Sequence, residues 1–164
     1  MDLQSITDYP QHYEFKTRWK DIDSFGHVNN AVFLTYIEDA RIMYFKRWNI
    51  TEKKRSLIVA SIKIDYLRQI EHPSTLIIGQ KVCRIGNSSF DIQSAIFIDG
   101  LKKPAALSLV ICVCYDYDNG KSVIVYNKIR NDIWSVLGKI SKFGPNAQKI
   151  GRTLEQSLKS FVLK

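Results

Sequence analysis

The stretch Thr17-Arg18-Trp19-Lys20-Asp21-Ile22-Asp23-Ser24-Phe25-Gly26-His27-Val28-Asn29-Asn30 decides how this chain folds. An alternating run, residues 12–19, leads into it, and an unusually apolar segment, residues 31–45, follows it directly. The alternation predicts a strand and the apolar segment a helix, so the loop between them carries two aspartates to the amino end of that helix. Such an end has free backbone N–H groups and a partial positive charge, which suit a developing oxyanion. A carboxylate beside it is the minimum equipment for hydrolysing an activated ester.

The predicted helix, residues 31–47, is apolar around most of its circumference. Its apolar side chains are Ala31, Val32, Phe33, Leu34, Tyr36, Ile37, Ala40, Ile42, Met43, Tyr44 and Phe45. The polar strip is narrow and consists of Thr35, Glu38, Asp39, Arg41 and Lys46. A helix of this composition is expected to be wrapped by other structure rather than laid on a surface. Asn29 or Asn30 is the expected N-cap.

Five segments have the period-two alternation and the β-branched content of strands. They are residues 13–19, 57–67, 75–85, 88–98 and 104–117. Turn-forming residues follow the last three, at Gly86-Asn87, Asp99-Gly100 and Asp118-Asn119-Gly120, so consecutive strands are expected to form antiparallel hairpins. The order strand, helix, four strands predicts an α+β domain in which an antiparallel sheet of five or more strands curls around one central buried helix.

The length of 164 residues is most simply one domain with a core of its own. Helical periodicity returns at 131–140 and is broken at 142–146, and residues 153–156 then have the spacing of a capping box. We therefore predict a main domain at residues 1–142 and a C-terminal amphipathic extension at 143–164, which is not a separate domain. The extension is expected to pack on its own domain or on a dimer mate, and contact with a membrane surface is the alternative.

The net charge is +8, and residues 139–164 hold six cations and one anion, which is +5 of that total. A basic surface attracts nucleic acid, anionic lipid or a phosphorylated small molecule, and charge alone does not choose among them. The sequence has no zinc-finger, helix-turn-helix or RNA-binding signature. A nucleic-acid partner is therefore not expected.

The sequence lacks the signals that are typical of several other classes of protein. The first residues do not have the basic and apolar regions of a signal peptide, and no apolar run approaches the roughly 20 residues of a membrane span. Cys83, Cys112 and Cys114 are poorly spaced for a metal knuckle and are expected to be buried, reduced thiols. No nucleophile elbow, P-loop or dinucleotide fingerprint is present. We expect a cytoplasmic protein with no metal and no bound cofactor.

Taken together, these features resemble the hotdog-fold acyl-CoA thioesterases, and specifically the 4-hydroxybenzoyl-CoA thioesterase-like branch. The matching motif is Arg18-Trp19-x-Asp21-x-Asp23-x-x-Gly26-His27-Val28-Asn29-Asn30, followed by Phe33, Tyr36, Glu38, Ala40 and Arg41. Asp65-Tyr66-Leu67-Arg68 and Gly86-Asn87-Ser88-Ser89-Phe90 resemble the family's second strand and its third-to-fourth hairpin. Two positions depart from the family pattern: Gln69 stands where relatives often have proline, and Phe33 where they often have tyrosine.

The resemblance implies a sheet wrapped around the helix, dimers or dimers of dimers, and active sites at the subunit interface. It also implies that the second aspartate of the loop, Asp23, is the catalytic carboxylate. The candidate substrate-binding residues are Gly26, Phe33, Ser61, Asn87, Ser88 and Ser89.

Each candidate catalytic residue also has a structural interpretation. Asp23 attacks the thioester carbonyl to form a mixed anhydride, activates water as a general base, or only caps the loop. The motif match favours catalysis. His27 holds the substrate carbonyl, tunes Asp23, or serves as a structural hydrogen-bonding group. Asn30 offers its backbone N–H as an oxyanion donor, while its side chain is an alternative helix cap.

Asp21 and the pair Glu38 and Arg41 are expected to be structural, whereas Gly26 is expected to shape the loop for substrate. Asp21 alternates with the strand before it and is expected to form a salt bridge or to support the turn. Gly26 supplies a backbone angle that other residues adopt with difficulty and allows a close approach to substrate. Glu38 and Arg41 form an i,i+3 pair on the helix.

The sequence thus predicts a metal-independent acyl-CoA thioesterase that releases free acid and CoA, with Asp23 and the Asn30 N–H as its working groups. CoA is part of the substrate, and basic residues at the rim, some from a partner subunit, are expected to hold its phosphates. Acyl-carrier-protein thioesterase activity is an alternative, because a basic surface suits an acidic carrier. A non-catalytic acyl-CoA-binding hotdog protein is a third. A homodimer or homotetramer is expected.

Overall fold

Helices and strands follow one another along the chain in the predicted order. The computed structural model describes residues 5–50 and 55–140, the last seven by their backbone. The strands are β1 (Gln11–Lys16), β2 (Ser56–Tyr66), β3 (Thr75–Ile85), β4 (Ser89–Ile98), β5 (Ala106–Asp116) and β6 (Lys121–Ser122), and the helices are α1 (Asn30–Lys46) and α2 (Asn127–Ile140). Two short 3-10 turns, Ile6–Asp8 and Trp19–Asp21, precede β1 and α1.

One antiparallel sheet holds all six strands, in the order β1-β3-β4-β5-β2, with β6 paired to the end of β5. The β3–β4 and β4–β5 pairs are the hairpins predicted from the turn residues. β2 does not pair with β3, its successor in sequence. It pairs with β5, from Ser56 opposite Tyr115 to Tyr66 opposite Ala106. In the described part of the chain, β1 and β2 are therefore the two edges of the sheet.

Helix α1 packs against one face of this sheet. The side-chain amide of Gln80 on β3 donates a hydrogen bond to Ile37 O at 3.4 Å, which identifies the sheet face that meets the helix. Strand alternation places Ile78, Ile92 and Val110 on the same face, and all three are buried. The buried helix residues are Phe33, Tyr36, Ile37, Ala40, Arg41 and Tyr44. The predicted α+β class is confirmed.

One side of α1 stays exposed in the single chain. Ile42 and Met43 are 50% and 42% exposed, because the sheet covers only the helix face that touches it. Arg41, predicted on the polar strip, is instead buried, although it keeps the predicted i,i+3 pair with Glu38 at 3.2 Å. A helical wheel gives the angular position of Arg41 but not where the sheet ends, which is why its burial could not be predicted.

The opposite face of the sheet is partly covered by residues that precede β1. Tyr9 is 1% exposed and packs against Ala95 and Phe97, with its ring edge-on to that of Phe97 at a centroid distance of 6.2 Å. A Cβ atom at Gly79 would lie 2.6 Å from the Tyr9 ring. The close approach of Tyr9 to β3 therefore requires glycine at this position.

Within the described residues, the chain divides into two units, one ending at Val125 and the other beginning at Tyr126. The predicted domain boundary at residue 142 stays a prediction, and the predicted extension, 143–164, lies outside the described residues. Within residues 5–50 and 55–140, no helix is long and apolar enough to cross a membrane.

The three thiols do not share one environment. Cys112 and Cys114 are buried, as predicted, and neither forms a disulfide, whereas Cys83 on β3 is exposed. The prediction of burial was wrong for Cys83 because strand alternation assigns a face to a residue but not the extent to which that face is covered.

Candidate active site

A tight, hairpin-like loop leads from the first strand to α1. Ile22 and Val28 form an antiparallel bridge across it, Asp23 N–H donates to His27 O at 2.8 Å, and Gly26 N–H donates to Asp23 O at 3.1 Å. Gly26 has a φ of +83°, in the left-handed region that glycine adopts without steric cost. The special backbone angle predicted for Gly26 is therefore present.

Asp21 anchors the base of this loop and is only 2% exposed. Its carboxylate accepts hydrogen bonds from Arg18 Nε at 3.0 Å and from the Tyr36 hydroxyl at 2.5 Å, and its backbone O accepts the Asn29 N–H at 2.9 Å. Burial acts to raise the pKa of Asp21, but the hydrogen bonds from Arg18 and Tyr36 outweigh it, so the pKa is lowered overall. Asp21 thus has the structural role predicted for it.

The same contacts correct the predicted first strand. The alternation of residues 13–19 predicts a strand to Trp19, but β1 ends at Lys16, and a 3-10 turn begins at Trp19. The Asp21 carboxylate accepts the Arg18 backbone N–H at 2.9 Å, which closes that turn. A side-chain cap therefore replaces the strand hydrogen bonds that the alternation predicts.

The Asp23 carboxylate has one oxygen engaged by the loop. Oδ1 accepts hydrogen bonds from the Phe25 N–H at 2.8 Å and from the His27 N–H at 3.2 Å. Among the described residues, no group donates a hydrogen bond to Oδ2. The side chain is half-buried. The predicted loop cap is therefore present, and it leaves the second oxygen available to water or substrate.

The start of α1 presents the backbone N–H of Asn30. Asn29 is the N-cap, because its Oδ1 accepts the Ala31 N–H and its backbone O accepts the Val32 N–H, both at 2.9 Å. The alternative that the Asn30 side chain is the cap was wrong. The Asn30 N–H has no acceptor in the part of the chain that the structure describes. It lies at the positive end of the helix and can bind an oxyanion.

These groups share a cleft of about 640 Å³. One side, here called the loop wall, consists of the lining residues between Asp23 and Phe33, and the other side, the strand wall, is Tyr66–Gln69. The lining residues are Asp23, Phe25, His27, Val28, Asn30, Phe33, Tyr66, Leu67, Arg68 and Gln69. Four residues predicted from the sequence, Asp23, His27, Asn30 and Phe33, thus meet in one place.

Backbone hydrogen bonds hold the strand wall in position. The N–H groups of Leu67 and Arg68 both donate to Ala105 O, at 2.8 and 3.0 Å, which turns the chain away from β2. Farther along, Ile70 O accepts the Val28 N–H at 2.8 Å and so joins this segment to the loop. The strand wall brings apolar surface and the exposed cation of Arg68 to the cleft.

The sequence prediction does not identify Phe25, Tyr66, Leu67 or Arg68 as site residues. Tyr66 follows Asn30 by 36 positions, and hydrophobic periodicity does not say which strand end meets which loop. The available signal was the resemblance of residues 65–68 to the family's second strand.

The other predicted substrate-binding residues do not line this cleft within one chain. Gly26 is exposed in the turn, and Ser61 is exposed in the middle of β2. Residues 87–89 lie at the β3–β4 turn. Ser89 and Ile58, which is near the start of β2, both pair with the same residue of β5. Tyr66, the first residue of the strand wall, lies eight positions after Ile58 along the strand, which is roughly 26 Å.

The two histidines near the loop, His27 and His72, lie in different surroundings. Among residues 5–50 and 55–140, no group of three or more histidine, cysteine, aspartate and glutamate side chains is arranged to hold a metal ion. His27 lines the cleft, whereas His72 Nδ1 lies 3.0 Å from the Thr17 hydroxyl and its ring is edge-on to that of Trp19.

The loop, the helix start and the strand order match a known family. Residues 17–137 match the family model of the Thioesterase-like superfamily, and the chain belongs to that family. The predicted hotdog fold is confirmed, because solved thioesterases with this fold superpose on the chain. Family membership supports thioester hydrolysis as the general activity, while the 4-hydroxybenzoyl-CoA thioesterase-like branch stays a prediction.

Three similar proteins show how far the likeness extends. YsmA of Bacillus subtilis is 33% identical over 136 residues, 75% of this chain and 90% of its own length. The long-chain acyl-CoA thioesterase FadM of Escherichia coli is 24% identical over 125 residues, 73% of this chain and 94% of FadM. A thioesterase from Thermus thermophilus, solved with coenzyme A and Zn, is 33% identical, with a TM-score of 0.68 over 76% of this chain and 98% of that one.

Proposed function

We propose that this protein is an acyl-CoA thioesterase that uses the Asp23 carboxylate and needs no metal ion. The observation that carries the proposal is that Asp23 and Asn30 line the same cleft. One oxygen of Asp23 is not engaged by the loop, and among the described residues the Asn30 N–H has no acceptor. A thioester is already an activated acyl group. One base or nucleophile and one oxyanion donor therefore suffice to hydrolyse it.

In the general-base route, Asp23 accepts a proton from water as the oxygen of that water bonds to the thioester carbonyl carbon. The carbonyl oxygen becomes an oxyanion and accepts a hydrogen bond from the Asn30 N–H. The intermediate then collapses, the carbon–sulfur bond breaks, and the leaving CoA thiolate takes the proton from Asp23. Free acid and CoA are the products.

In the nucleophilic route, an Asp23 oxygen bonds to the carbonyl carbon and expels CoA thiolate, which leaves a mixed anhydride on the enzyme. Water then hydrolyses the anhydride and regenerates the carboxylate. The mixed anhydride forms only in the nucleophilic route. Rapid quenching of a single turnover, followed by peptide mass analysis, would find an acyl group on Asp23 only in the nucleophilic route.

Two relatives support CoA as the carrier of the acyl group. The Thermus thermophilus thioesterase was solved with coenzyme A, and FadM is named a long-chain acyl-CoA thioesterase. Arg68 on the strand wall offers a guanidinium of the kind that binds phosphate. An acyl-carrier protein is the second candidate carrier, because the net charge of +8 favours an acidic partner.

A substrate panel tests the proposed function. The full chain is assayed by free-thiol release with short, long and aromatic acyl-CoAs and with the matching acyl-carrier-protein thioesters. We expect turnover of at least one acyl-CoA with a higher kcat/KM than its carrier-protein counterpart. The reverse order would favour the carrier-protein alternative. Saturable acyl-CoA binding without any thiol release would support the non-catalytic alternative.

Metal independence requires its own test, because one relative was solved with Zn. Our reason for proposing it is chemical: proton transfer at Asp23 and oxyanion binding at Asn30 together need no Lewis acid. We expect full turnover after dialysis against a chelator and no gain on adding zinc. A loss of activity that zinc restores would contradict the proposal.

We also propose that the protein is a homodimer, or a dimer of dimers, formed along β2. This strand is an edge of the sheet in the described part of the chain, and its Val59 and Ile62 are 40% and 42% exposed. Edge strands of this kind invite pairing with another strand. An antiparallel pair of β2 strands centred near Ser61 would bring residues 87–89 of a second copy toward the cleft, which supports a shared site.

The variant Ile62→Lys tests this assembly, because a charge on an edge strand opposes pairing. We expect light scattering to show a smaller particle and the turnover per chain to fall. Ile124→Lys is the matched control, since Ile124 is a 65% exposed apolar residue outside β2. A monomeric wild-type protein with full activity would contradict the proposal. The predicted cytoplasmic location stays a prediction.

A further inference from the structure

Tyr66 joins the two walls of the cleft through its side chain. Its hydroxyl donates a hydrogen bond to Asn30 O at 3.1 Å. Its ring packs edge-on against Phe33, with the ring centroids 5.2 Å apart. Among the described residues, Tyr66 is the one strand-wall residue whose side chain hydrogen-bonds to the start of α1. It also carries the only phenolic hydroxyl among the residues that line the cleft.

The hydrogen bond from Tyr66 complements the contacts on the other side of Asn30. The Val28 and Asn29 N–H groups donate to Ile70 O and Asp21 O, and these bonds hold the chain on the amino side of Asn30. The Tyr66 hydroxyl meets the Asn30 carbonyl, on its carboxyl side. Asn30 is thereby restrained from both directions, while its own N–H stays without an acceptor in the described part of the chain.

We propose that Tyr66 is a positioning residue for thioester hydrolysis, holding Asn30 so that its N–H meets the oxyanion that forms on the substrate carbonyl. This inference rests on the proposed function. An oxyanion donor works only within about 2.7–3.1 Å of the oxyanion, so a small shift of Asn30 weakens that bond. Because the oxyanion exists in the transition state and not in the bound substrate, loss of the Tyr66 hydroxyl should lower kcat and leave KM unchanged.

The variant Tyr66→Phe tests the role of the hydroxyl, because it keeps the ring against Phe33. Steady-state kinetics are measured on the full chain with the acyl-CoA that the wild-type protein hydrolyses best. We expect kcat to fall about 3- to 10-fold, the effect of one hydrogen bond, with KM and the thermal unfolding midpoint unchanged. Binding of a non-hydrolysable thioether analogue of that acyl-CoA should also be unchanged.

Tyr117→Phe is the matched control. Tyr117 is 57% exposed, its ring is edge-on to that of Tyr115 at 5.2 Å, and it does not line the cleft. This variant should keep the wild-type kcat and KM.

Three results would overturn the inference while leaving the proposed function in place. An unchanged kcat in Tyr66→Phe would show that the hydroxyl does not position the donor. Weaker binding of the thioether analogue, with kcat retained, would assign Tyr66 to the substrate pocket. An equal loss in Tyr117→Phe would show that the effect is not specific to the cleft. A wild-type protein that hydrolyses no thioester of the panel would contradict the proposed function, and this inference with it.

Discussion

At Asp23, capping the loop and acting on substrate do not compete, because they use different oxygens. Oδ1 accepts two backbone N–H groups of the loop, from Phe25 and His27. These bonds fix the orientation of the carboxylate before any substrate binds, so less ordering remains to be done in the reaction. Capping a turn is an ordinary role for aspartate. Here the cap also preorganises the second oxygen of the Asp23 carboxylate.

Asp21, two residues earlier, should contribute to the stability of the fold and not to catalysis. The variant Asp21→Asn tests this. The variant removes a buried charge that Arg18 and Tyr36 stabilise, so we expect the free energy of unfolding at neutral pH to fall by about 1–3 kcal/mol. The pKa of Asp21 is lowered in the folded protein. Its carboxylate therefore adds stability above the unfolded pKa of about 3.9, and this contribution is lost as the pH falls through the folded pKa.

Urea unfolding of both proteins at about pH 7 and at about pH 3 measures this dependence. The stability difference between wild type and Asp21→Asn should be larger at the higher pH. Equal differences at the two pH values would show that the ion pair with Arg18 does not carry the effect.

At the scale of elements, alternation predicts a strand best where one face is covered and the other is less covered. β3 has the predicted bounds, and β5 alternates strictly between buried and half-buried residues along its whole length. The first strand was predicted too long because the alternation of side chains continues past the last strand hydrogen bond. β1 pairs with β3 only as far as Lys16 opposite Thr75, and the chain then turns toward α1.

The place of β2 could not be predicted from periodicity, and neither could the strand wall. Alternation says which face of a strand is buried, but not which strand lies beside it. β2 is largely exposed along its middle, so alternation indicates even its more buried face only weakly. Because pairing with β5 sets where the end of β2 lies, the contact between Tyr66 and Asn30 follows from the topology, and periodicity gave no signal for it.

Gly79→Ala should lower stability without changing activity, because it affects only the packing of Tyr9 on β3. The added methyl group would collide with the Tyr9 ring, so we expect a loss of about 1–3 kcal/mol of unfolding free energy with turnover per folded molecule unchanged. Chemical unfolding of Gly79→Ala, Tyr9→Ala and the double variant gives a mutant cycle. The cost of Gly79→Ala should shrink when Tyr9 is absent, and an unchanged cost would contradict this packing.

At the scale of the whole molecule, the positive charge should act on the nucleotide end of the substrate. The net charge is +8, and exposed charges attract phosphates over a distance of roughly 10 Å at 0.1 M salt. Raising the salt concentration should therefore raise KM for an acyl-CoA more than for a truncated thioester that lacks the nucleotide. Steady-state assays with both substrates measure this, and equal salt sensitivity would remove the proposed role of the charge.

The whole account depends on one carboxylate, and the turnover of Asp23→Asn tests it most directly. Asparagine keeps the oxygen that caps the loop and removes the charge, so folding should stay intact. Asp116→Asn is the matched control, because Asp116 Oδ1 also accepts two backbone N–H groups, from Asp118 and Asn119, and does not line the cleft.

The measurement is thiol release from the best acyl-CoA substrate by wild type and both variants, per folded molecule. We predict a loss on the order of 10²-fold or more for Asp23→Asn and wild-type turnover for Asp116→Asn. Near-normal turnover in Asp23→Asn would contradict the assignment of catalysis to this residue.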